Sequence, residues 1–300
     1  MPDNDTVTRV SRRLRDVLEP LAGQVYFAPE CHQAYEKLGF GPSPAMSHDV
    51  ALPDGPAYFT SRGSVMGQVP GEVVAAAFGV FNPAVVIPAV AMGWERTDAA
   101  TICAARTDGA VAQLTRILGP EPAGLDRAKE VLTRVSDGLG PEGRPLYAGV
   151  RSQGAPGSPL GDLFWLADLL REFRGDSHIN AWVGAGLDPV EIGLLTELWL
   201  GLPMATYLRS RAWSAEQMTA GKERLQSRGL IDGDGFSPAG RSLRAAIEET
   251  TDHQLRGVVD TLGDDADELF ELLAHWSRQI IDAGGYPRGG AADIGRTGRS

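Results

Sequence analysis

The feature that most constrains the fold is an uncharged stretch from Val73 to Met92, "VVAAAFGVFNPAVVIPAVAM". It has about the length that a transmembrane helix needs. Gly79, Asn82, Pro83 and Pro88 interrupt it, however. A proline inside a helix removes a backbone hydrogen bond and clashes with the preceding turn. The stretch therefore predicts two short core helices that break at Asn82-Pro83 rather than a membrane span.

The composition is typical of a soluble globular chain. Its 300 residues are 43% hydrophobic and 22% charged, which is enough to bury a substantial core. The net charge of -11 disfavours non-specific binding to nucleic acid, because phosphate contacts need a cationic face. Two cysteines are too few for a disulfide framework, and the first residues lack the apolar segment of a signal peptide. We therefore expect a cytoplasmic protein that does not bind a membrane.

Helical periodicity dominates the chain between two polar ends. We expect an N-terminal helical half at 15–150 and a C-terminal half at 151–285, divided where loops rich in proline and glycine occur. Asp162–Phe173 has apolar residues along one stripe and predicts an amphipathic helix. The ends, 1–14 and 286–300, predict disordered tails.

The two halves share a pattern that suggests a duplication. "GQVPGEVV" begins at Gly67 and "GLDPVEIG" begins at Gly186, and the same spacing leads to Trp94 in one copy and Trp213 in the other. Proline followed closely by glutamate favours a helix start in each copy. We therefore predict a mainly α-helical protein built from two related helix-turn-helix halves, in which both tryptophans occupy equivalent core positions.

The second half continues in the order of a winged helix. "PMATYLRSRAW" and "SAEQMTAGKERLQSRGL" predict a helix, a turn and a second helix. "IDGDGF" then predicts a short β hairpin, and Ser237 is positioned to cap a helix that begins at Pro238. The first copy contains no such hairpin, so we expect it to be a degenerate helix-turn-helix.

Several segments together resemble a known family. "VYFAPE", "YFTSRGSVMGQVPGEVVAAAFGVFNP", "LLREFRGDSHINAWVGAGLDPVE", "WSAEQMTAGKERLQSRGLID" and "AIEETTDH" are similar to the SalK-like helix-turn-helix proteins of actinobacteria. The resemblance runs from about Leu18 to Gly284. It implies the fold but no activity that could be carried over. Members often have histidines where this chain has Leu166 and Phe173, which argues against a metal or haem site here.

A DNA-binding winged helix presents polar and cationic side chains from its second helix. The candidates here are Gln217, Thr219, Arg224 and Arg228. The predicted wing, "DGDG" at 232–235, is acidic and would repel phosphate groups. Flanking arginines could compensate, so the sequence leaves DNA binding open.

A small-molecule site is the other hypothesis. Polar side chains on otherwise apolar segments must be paired or face a cavity, and the candidates are Arg62, Asn82, Arg106, Arg174 and His178. Such a cavity would suit an anionic or polyoxygenated ligand, although paired core arginines explain the same pattern. His178 follows "RGDS", where a glycine cap at Gly175 would end one helix and His178 would begin the next. We favour this structural role for His178 over a catalytic one.

No catalytic motif, metal-ligand set or cofactor motif is recognisable in the sequence. We therefore expect a ligand-responsive winged-helix regulator of transcription. The alternative is an enzyme or small-molecule-binding protein of specialised metabolism on a helix-turn-helix scaffold that no longer binds DNA. The oligomeric state stays open, and a homodimer is compatible with either function.

Overall fold

A computed structural model of the protein describes residues 2–47 and 49–290. These residues form a mainly α-helical fold with two short antiparallel hairpins, which confirms the predicted fold class. The helices are α1 Asn4–Gly23, α2 Pro29–Lys37, α3 Gly55–Gly63, α4 Gly71–Phe78, α5 Pro83–Trp94, α6 Ala99–Leu118, α7 Leu125–Ser136, α8 Pro145–Gln153, α9 Pro159–Gly184, α10 Pro189–Trp199, α11 Ala215–Ser227, α12 Pro238–His253, α13 Arg256–Leu262 and α14 Ala266–Asp282. The strands are β1 Met46–Ser47 with β2 Val50–Ala51, and β3 Ile231–Asp232 with β4 Gly235–Phe236.

The uncharged stretch folds as predicted into two helices, α4 and α5. Gly79 has a φ of 64° and ends α4, and the side chain of Asn82 accepts a hydrogen bond from the amide of Ala84 to cap α5. Val73 and Met92 are nevertheless exposed, so this helix pair is not wholly inside the core. In the described part of the chain, no helix is long and apolar enough to cross a membrane.

Two hydrophobic cores hold the helices together. The larger core extends from Leu14 to Tyr286 and contains side chains of α9 alongside those of α1, α6, α7 and α14. The smaller core extends from Ala181 to Ile247 and fills the winged helix. The end of α9 contributes Trp182 to the smaller core, so this helix joins the two. The cores therefore do not divide at residue 150, and the division into 15–150 and 151–285 stays a prediction about the sequence.

The two ends differ from the predicted disordered tails. Residues 1–14 include the first eleven residues of α1, which Asp3 caps by accepting a hydrogen bond from the amide of Thr6. Val7 and Leu14 are buried in that segment, because apolar residues recur at helical spacing within its polar sequence. At the other end Tyr286 is buried, and 291–300 lie outside the described residues.

The winged helix has the predicted order from α11 onwards. The helix predicted at 203–213 is wrong, because Ala205 and Ala212 have positive φ, 61° and 63°, and only a 3-10 helix fits between them. Asp188 caps α10, a 3-10 helix occupies Tyr207–Arg211, and Ser214 caps α11 through a capping box. The β3–β4 hairpin follows, and the hydroxyl of Ser237 accepts a hydrogen bond from the amide of Gly240 at the start of α12. The first half has no equivalent hairpin after α6, as expected for a degenerate copy.

The proposed duplication matches in part. Gly67 and Gly186 both have positive φ, 85° and 70°, and each is followed by a helix. The tryptophans differ, since the indole of Trp94 donates to the carbonyl of Val69 while that of Trp213 donates to Val80 in the other copy. The duplication therefore stays a prediction.

The predicted break at Gly175 is wrong. A single helix, α9, runs through "RGDSH" from Pro159 to Gly184, and Gly175 is an interior helical residue rather than a cap. A Cβ added at Gly175 would meet only a carboxylate oxygen of Glu172, at 3.5 Å. Both ends of α9 are anchored in a core, and this packing outweighs the local preference of glycine to end a helix.

His178 consequently lies inside α9, not at a helix start. Its Nδ1 is 3.1 Å from the hydroxyl of Thr251 on α12. Burial lowers the pKa of His178 from 6.5 to about 4, with Glu248 opposing this shift and Arg244 adding to it. The neutral imidazole therefore packs α9 against the last helix of the winged helix, which is a structural role.

We predict that Gly175→Ala stabilises the protein. Glycine in a helix interior costs about 0.5–1 kcal/mol relative to alanine, and the added methyl group meets no steric obstacle. The free energy of unfolding, measured by urea denaturation, should rise by that amount. A fall would mean that α9 is interrupted at Gly175.

We also predict that His178→Asn reduces the loss of stability in acid. Because the folded-state pKa lies below that of the unfolded chain, the unfolded state gains the proton first. The stability contributed by neutral His178 is thus complete above pH 6.5 and is lost towards pH 4. Between pH 7.5 and 5 the wild type should lose up to about 2 kcal/mol more than the variant in urea titrations.

His275→Asn is the matched control, because His275 is exposed on α14. Asp176, whose burial raises its pKa to about 7, favours the folded state at low pH and so acts with the opposite sign. That contribution is present in all three proteins and cancels in the comparison. Equal pH dependence of the wild type and His178→Asn would contradict the buried, neutral state of His178.

Candidate ligand pocket and winged-helix surface

A pocket of about 480 Å³ lies where the larger core meets the winged helix. Its walls come from α1, α9, the end of α10, the 3-10 helix at Tyr207–Arg211 and the segment after α14. Leu14, Leu18 and Leu170 form apolar parts of the wall, and the winged helix contributes Thr196 and Tyr207. The pocket is therefore bounded by the larger core and by the winged helix.

Arginines dominate the charged part of this wall. Five arginines and three carboxylates line it, so the pocket has an excess of positive charge. The arginines are Arg15, Arg62, Arg171, Arg174 and Arg288, and the carboxylates are Asp16, Glu19 and Glu172. An apolar wall with an excess of guanidinium groups suits a molecule that has an anionic group on an apolar body.

A chain of ion pairs forms the floor of the pocket. Arg62 donates to both carboxylate oxygens of Glu172, at 3.0 and 2.8 Å. Arg171 donates to Glu172 at 2.9 Å and to Glu19 at 3.0 Å. Burial on its own would raise the pKa of Glu172, but Arg62 and Arg171 outweigh it and hold this pKa at about 2. The carboxylate is therefore charged, and each of these arginines already has a partner.

Arg174 lies on the same face of α9 as Arg171, and its guanidinium group contacts α12. Its Nη2 lies 3.3 Å from Glu248 and 3.5 Å from Asp252. Asp252 also accepts from Arg12 at 2.8 Å, and Glu248 accepts from Arg244 at 2.6 Å. The Nε of Arg174 is buried and has no hydrogen-bond partner among the described residues. Arg174 therefore lines the pocket with a guanidinium group that is paired to α12 through Nη2 and has one buried, unpaired Nε.

The structure brings together two of the five predicted ligand residues, Arg62 and Arg174. Arg106 is buried elsewhere between α6 and α9, where it pairs with Asp168 at 2.9 Å. Asn82 lies at the α4–α5 turn, and His178 lies against Thr251; neither lines the pocket. Arg106 is thus a paired core arginine, and His178 packs α9 against α12 instead of beginning a helix.

Sequence reasoning missed several wall residues. Arg171 lies in the same segment as Arg174, and a spacing of three places both on one face of a helix. Because a helix end was predicted at Gly175, the shared helix face of Arg171 and Arg174 was not recognised. Arg15 lies in the predicted N-terminal helical half and Arg288 in the predicted C-terminal tail, and only the tertiary fold brings them to the same pocket as α9.

The second helix of the helix-turn-helix, α11, holds the DNA-binding candidates. Gln217 completes the capping box of α11 by accepting from the amide of Ser214 at 3.0 Å, and it also accepts from Asn82 at 3.2 Å. The hydroxyl of Thr219 donates to the carbonyl of Ala215 at 2.9 Å. Both side chains remain exposed but are already engaged within the protein.

The two cationic candidates are paired with carboxylates of α10. Arg224 contacts Asp188 at 2.5 Å, and Arg228 contacts Glu191 at 2.9 Å. Lys222 pairs in turn with Asp234 of the wing at 2.5 Å. These pairs neutralise the charge with which α11 would attract phosphate groups.

The wider winged helix is also acidic. Between residues 186 and 253 ten carboxylates face seven arginines and lysines. Arg241 lies 5.2 Å from the ring of Phe236, and Arg244 is buried over Trp199, whereas Arg209 is exposed. The winged helix therefore has the order of elements of a DNA-binding domain but lacks the excess of positive charge that basic DNA-binding domains have.

A metal centre is not evident in the described part of the chain, where no group of three or more His, Cys, Asp or Glu side chains is placed to hold an ion. Cys31 and Cys103 are both buried as free thiols. Burial raises the pKa of Cys31 to about 12, which opposes its use as a nucleophile.

Comparison with known proteins identifies the family to which the chain belongs. The sequence matches a family described as a helix-turn-helix family over residues 11–287, nearly the whole chain. No curated protein and no solved structure matches it. The match includes both cores and most of the pocket wall, and the chain therefore belongs to this helix-turn-helix family.

Proposed function

We propose that the protein is a ligand-responsive, DNA-binding winged-helix regulator of transcription. The observation that carries the proposal is the position of the pocket, whose wall combines α1 and α9 of the larger core with Thr196, Leu200 and Tyr207 of the winged helix. A ligand that contacts both sides fixes their relative position and so biases the orientation of α11. Family membership supports the DNA-binding part of this proposal.

The ligand class follows from the wall chemistry. An anion can bind to the guanidinium groups of Arg174 and Arg288, because both line the pocket and the second is mostly exposed. The leucines of α1 and α9 would then contact an apolar body. We therefore propose a small carboxylate or similar oxyanion with an apolar skeleton.

A second candidate function is a small-molecule-binding protein, or an enzyme of specialised metabolism, that no longer binds DNA. The pairing of Arg224 with Asp188 and of Arg228 with Glu191 favours it, since neither arginine is free to contact phosphate groups. The SalK-like assignment, the cytoplasmic location and a homodimeric state belong to the proposal in the same way and do not distinguish the two functions.

We predict that Gly175→Met blocks the pocket without unfolding the protein. Gly175 lines the pocket, and a Cβ there meets only Glu172 at 3.5 Å. Isothermal titration with octanoate and with 1-anilinonaphthalene-8-sulfonate, two anions with apolar bodies, should show binding to the wild type. The variant should lose at least about tenfold in affinity, because the methionine side chain occupies the apolar part of the site.

Gly184→Met is the matched control. Gly184 is an exposed residue of the same helix, its Cβ would meet no atom within 4 Å, and it does not line the pocket. Binding equal to that of the wild type is expected for this control. If Gly175→Met also bound both anions as the wild type does, they would not occupy this pocket.

We predict that Asp188→Asn strengthens DNA binding. Asparagine is as good a helix cap as aspartate, so the substitution keeps the start of α10 while it removes the nearer of the two carboxylates paired with Arg224; the other, Glu191, is 3.7 Å away. Retention on sheared genomic DNA should persist to higher salt, and the dependence of log affinity on log salt should become steeper by about one phosphate contact.

Asp98→Asn is the control for this experiment, since Asp98 caps α6 in the same way but belongs to the larger core. It should leave DNA retention unchanged. If neither the wild type nor Asp188→Asn were retained at about 50 mM salt, where phosphate contacts are strong, the second candidate function would replace the first.

A further inference from the structure

The winged helix is attached to the larger core at a second place, beside the pocket wall but outside it. Four contacts join the turn Val80–Asn82, between α4 and α5, to the corner Arg211–Trp213 and to Gln217 on α11. The amide of Asn82 donates to the carbonyl of Arg211 at 3.0 Å, and its Nδ2 donates to Ala212 at 3.0 Å and to Gln217 at 3.2 Å. The indole of Trp213 donates to Val80 at 2.9 Å. We call these contacts the clamp.

The corner that the clamp holds is conformationally unusual. Ala212 has a φ of 63°, a left-handed backbone that alanine rarely adopts. Such a conformation persists where surrounding contacts impose it. Both neighbours of Ala212 contribute, because Arg211 lies 4.7 Å from the ring of Phe81 and Trp213 binds Val80. The position of α11 after this corner therefore depends on the clamp.

The clamp also lies at the end of α11 that would have to meet DNA. In helix-turn-helix proteins the N-terminal residues of the second helix contact base edges. Here that end contains Ser214 and Gln217, and Asn82 is within hydrogen-bond distance of Gln217. A major groove about 12 Å wide admits one helix, and it would have to accommodate the α4–α5 turn as well.

The pocket is linked to the clamp through one side chain. Tyr207 lines the pocket, and its hydroxyl accepts a hydrogen bond from Arg211, whose guanidinium also lies 4.4 Å from the Tyr207 ring. Arg211 in turn contacts Phe81 in the clamp. The chain of contacts from pocket to α11 is therefore continuous and four residues long: Tyr207, Arg211, Phe81 and Asn82.

We propose that the clamped structure is the form that does not bind DNA, and that the ligand of the pocket stabilises it. This inference rests on the proposed function. A ligand favours the state for which it has the higher affinity, and in the clamped form the pocket has walls from the larger core and from the winged helix. By linkage, DNA and the anionic ligand then lower each other's affinity. The ligand is thus an inducer that releases DNA rather than a co-repressor.

The test separates the clamp from DNA binding by two readouts. Asn82→Asp keeps an oxygen to cap α5 but replaces the donating Nδ2 with a carboxylate oxygen that faces the oxygens of Ala212 and Gln217. Hydrogen exchange of the Trp213 indole, followed by nuclear magnetic resonance, should accelerate by about five- to tenfold, as expected for the loss of a hydrogen bond or two. Retention on sheared genomic DNA should rise by a similar factor.

Asn180→Asp is the matched control. Asn180 also donates from Nδ2 to a carbonyl, that of Gly143 at 3.1 Å, but it lies away from the clamp. It should change neither readout. Tyr207→Phe tests the link to the pocket, because it removes only the hydroxyl that accepts from Arg211 and should also accelerate exchange of the Trp213 indole.

The outcomes are distinguishable. Unchanged indole exchange in Asn82→Asp overturns the clamp, and unchanged exchange in Tyr207→Phe overturns its link to the pocket. Faster exchange without any gain in retention overturns the clamped form as the inhibited state when the wild type itself is retained at about 50 mM salt. It overturns the proposed DNA-binding function when neither protein is retained. Faster exchange together with stronger DNA retention supports the clamped form as the inhibited state.

Discussion

Charged side chains buried along α9 are the constraint on which the rest of the structure depends. Within a few turns this helix carries Asp168, Arg171, Glu172, Arg174 and Asp176. Each of them meets a different element. Their partners are Arg106 on α6, Glu19 on α1, Arg62 on α3, Glu248 and Asp252 on α12, and the amide of Tyr147 on α8.

Such pairs contribute more to specificity than to stability. Removing charges from water is costly, so a buried pair adds little net free energy, but breaking one partner leaves an uncompensated charge at a cost of about 3–5 kcal/mol. Hydrophobic contacts alone would allow the helices around α9 to slide or rotate. We interpret these pairs as determinants of helix position, since each neighbouring helix packs correctly only where its own charged or polar group contacts its partner on α9.

The sequence predicted those parts of the fold whose cause is local. Proline, serine and glycine act on their own neighbours in the chain. They account for the break at Asn82, the cap at Ser237 and the order of elements from α11 onwards in the winged helix. The helix end predicted at Gly175 was wrong, because packing at both ends of α9 outweighs the local preference of glycine to end a helix. The floor of the pocket could not be predicted, because Arg62 and Glu172 are 110 positions apart and nothing in their own segments pairs them. Arg224 and Asp188, 36 positions apart, were equally inaccessible, and so the exposed charge of α11 was overestimated.

The same network explains why the pocket and the winged helix are hard to separate. Arg174 belongs to the pocket wall, yet its partners Glu248 and Asp252 lie on α12, the last helix of the winged helix. An anion that binds Arg174 competes with those carboxylates, and it therefore alters the charge balance that packs α12 against α9. Tyr207 provides a separate connection to α11 through Arg211. Under the proposed function, a ligand in this pocket would act on the winged helix at two places, by charge at α12 and by contact at the corner before α11.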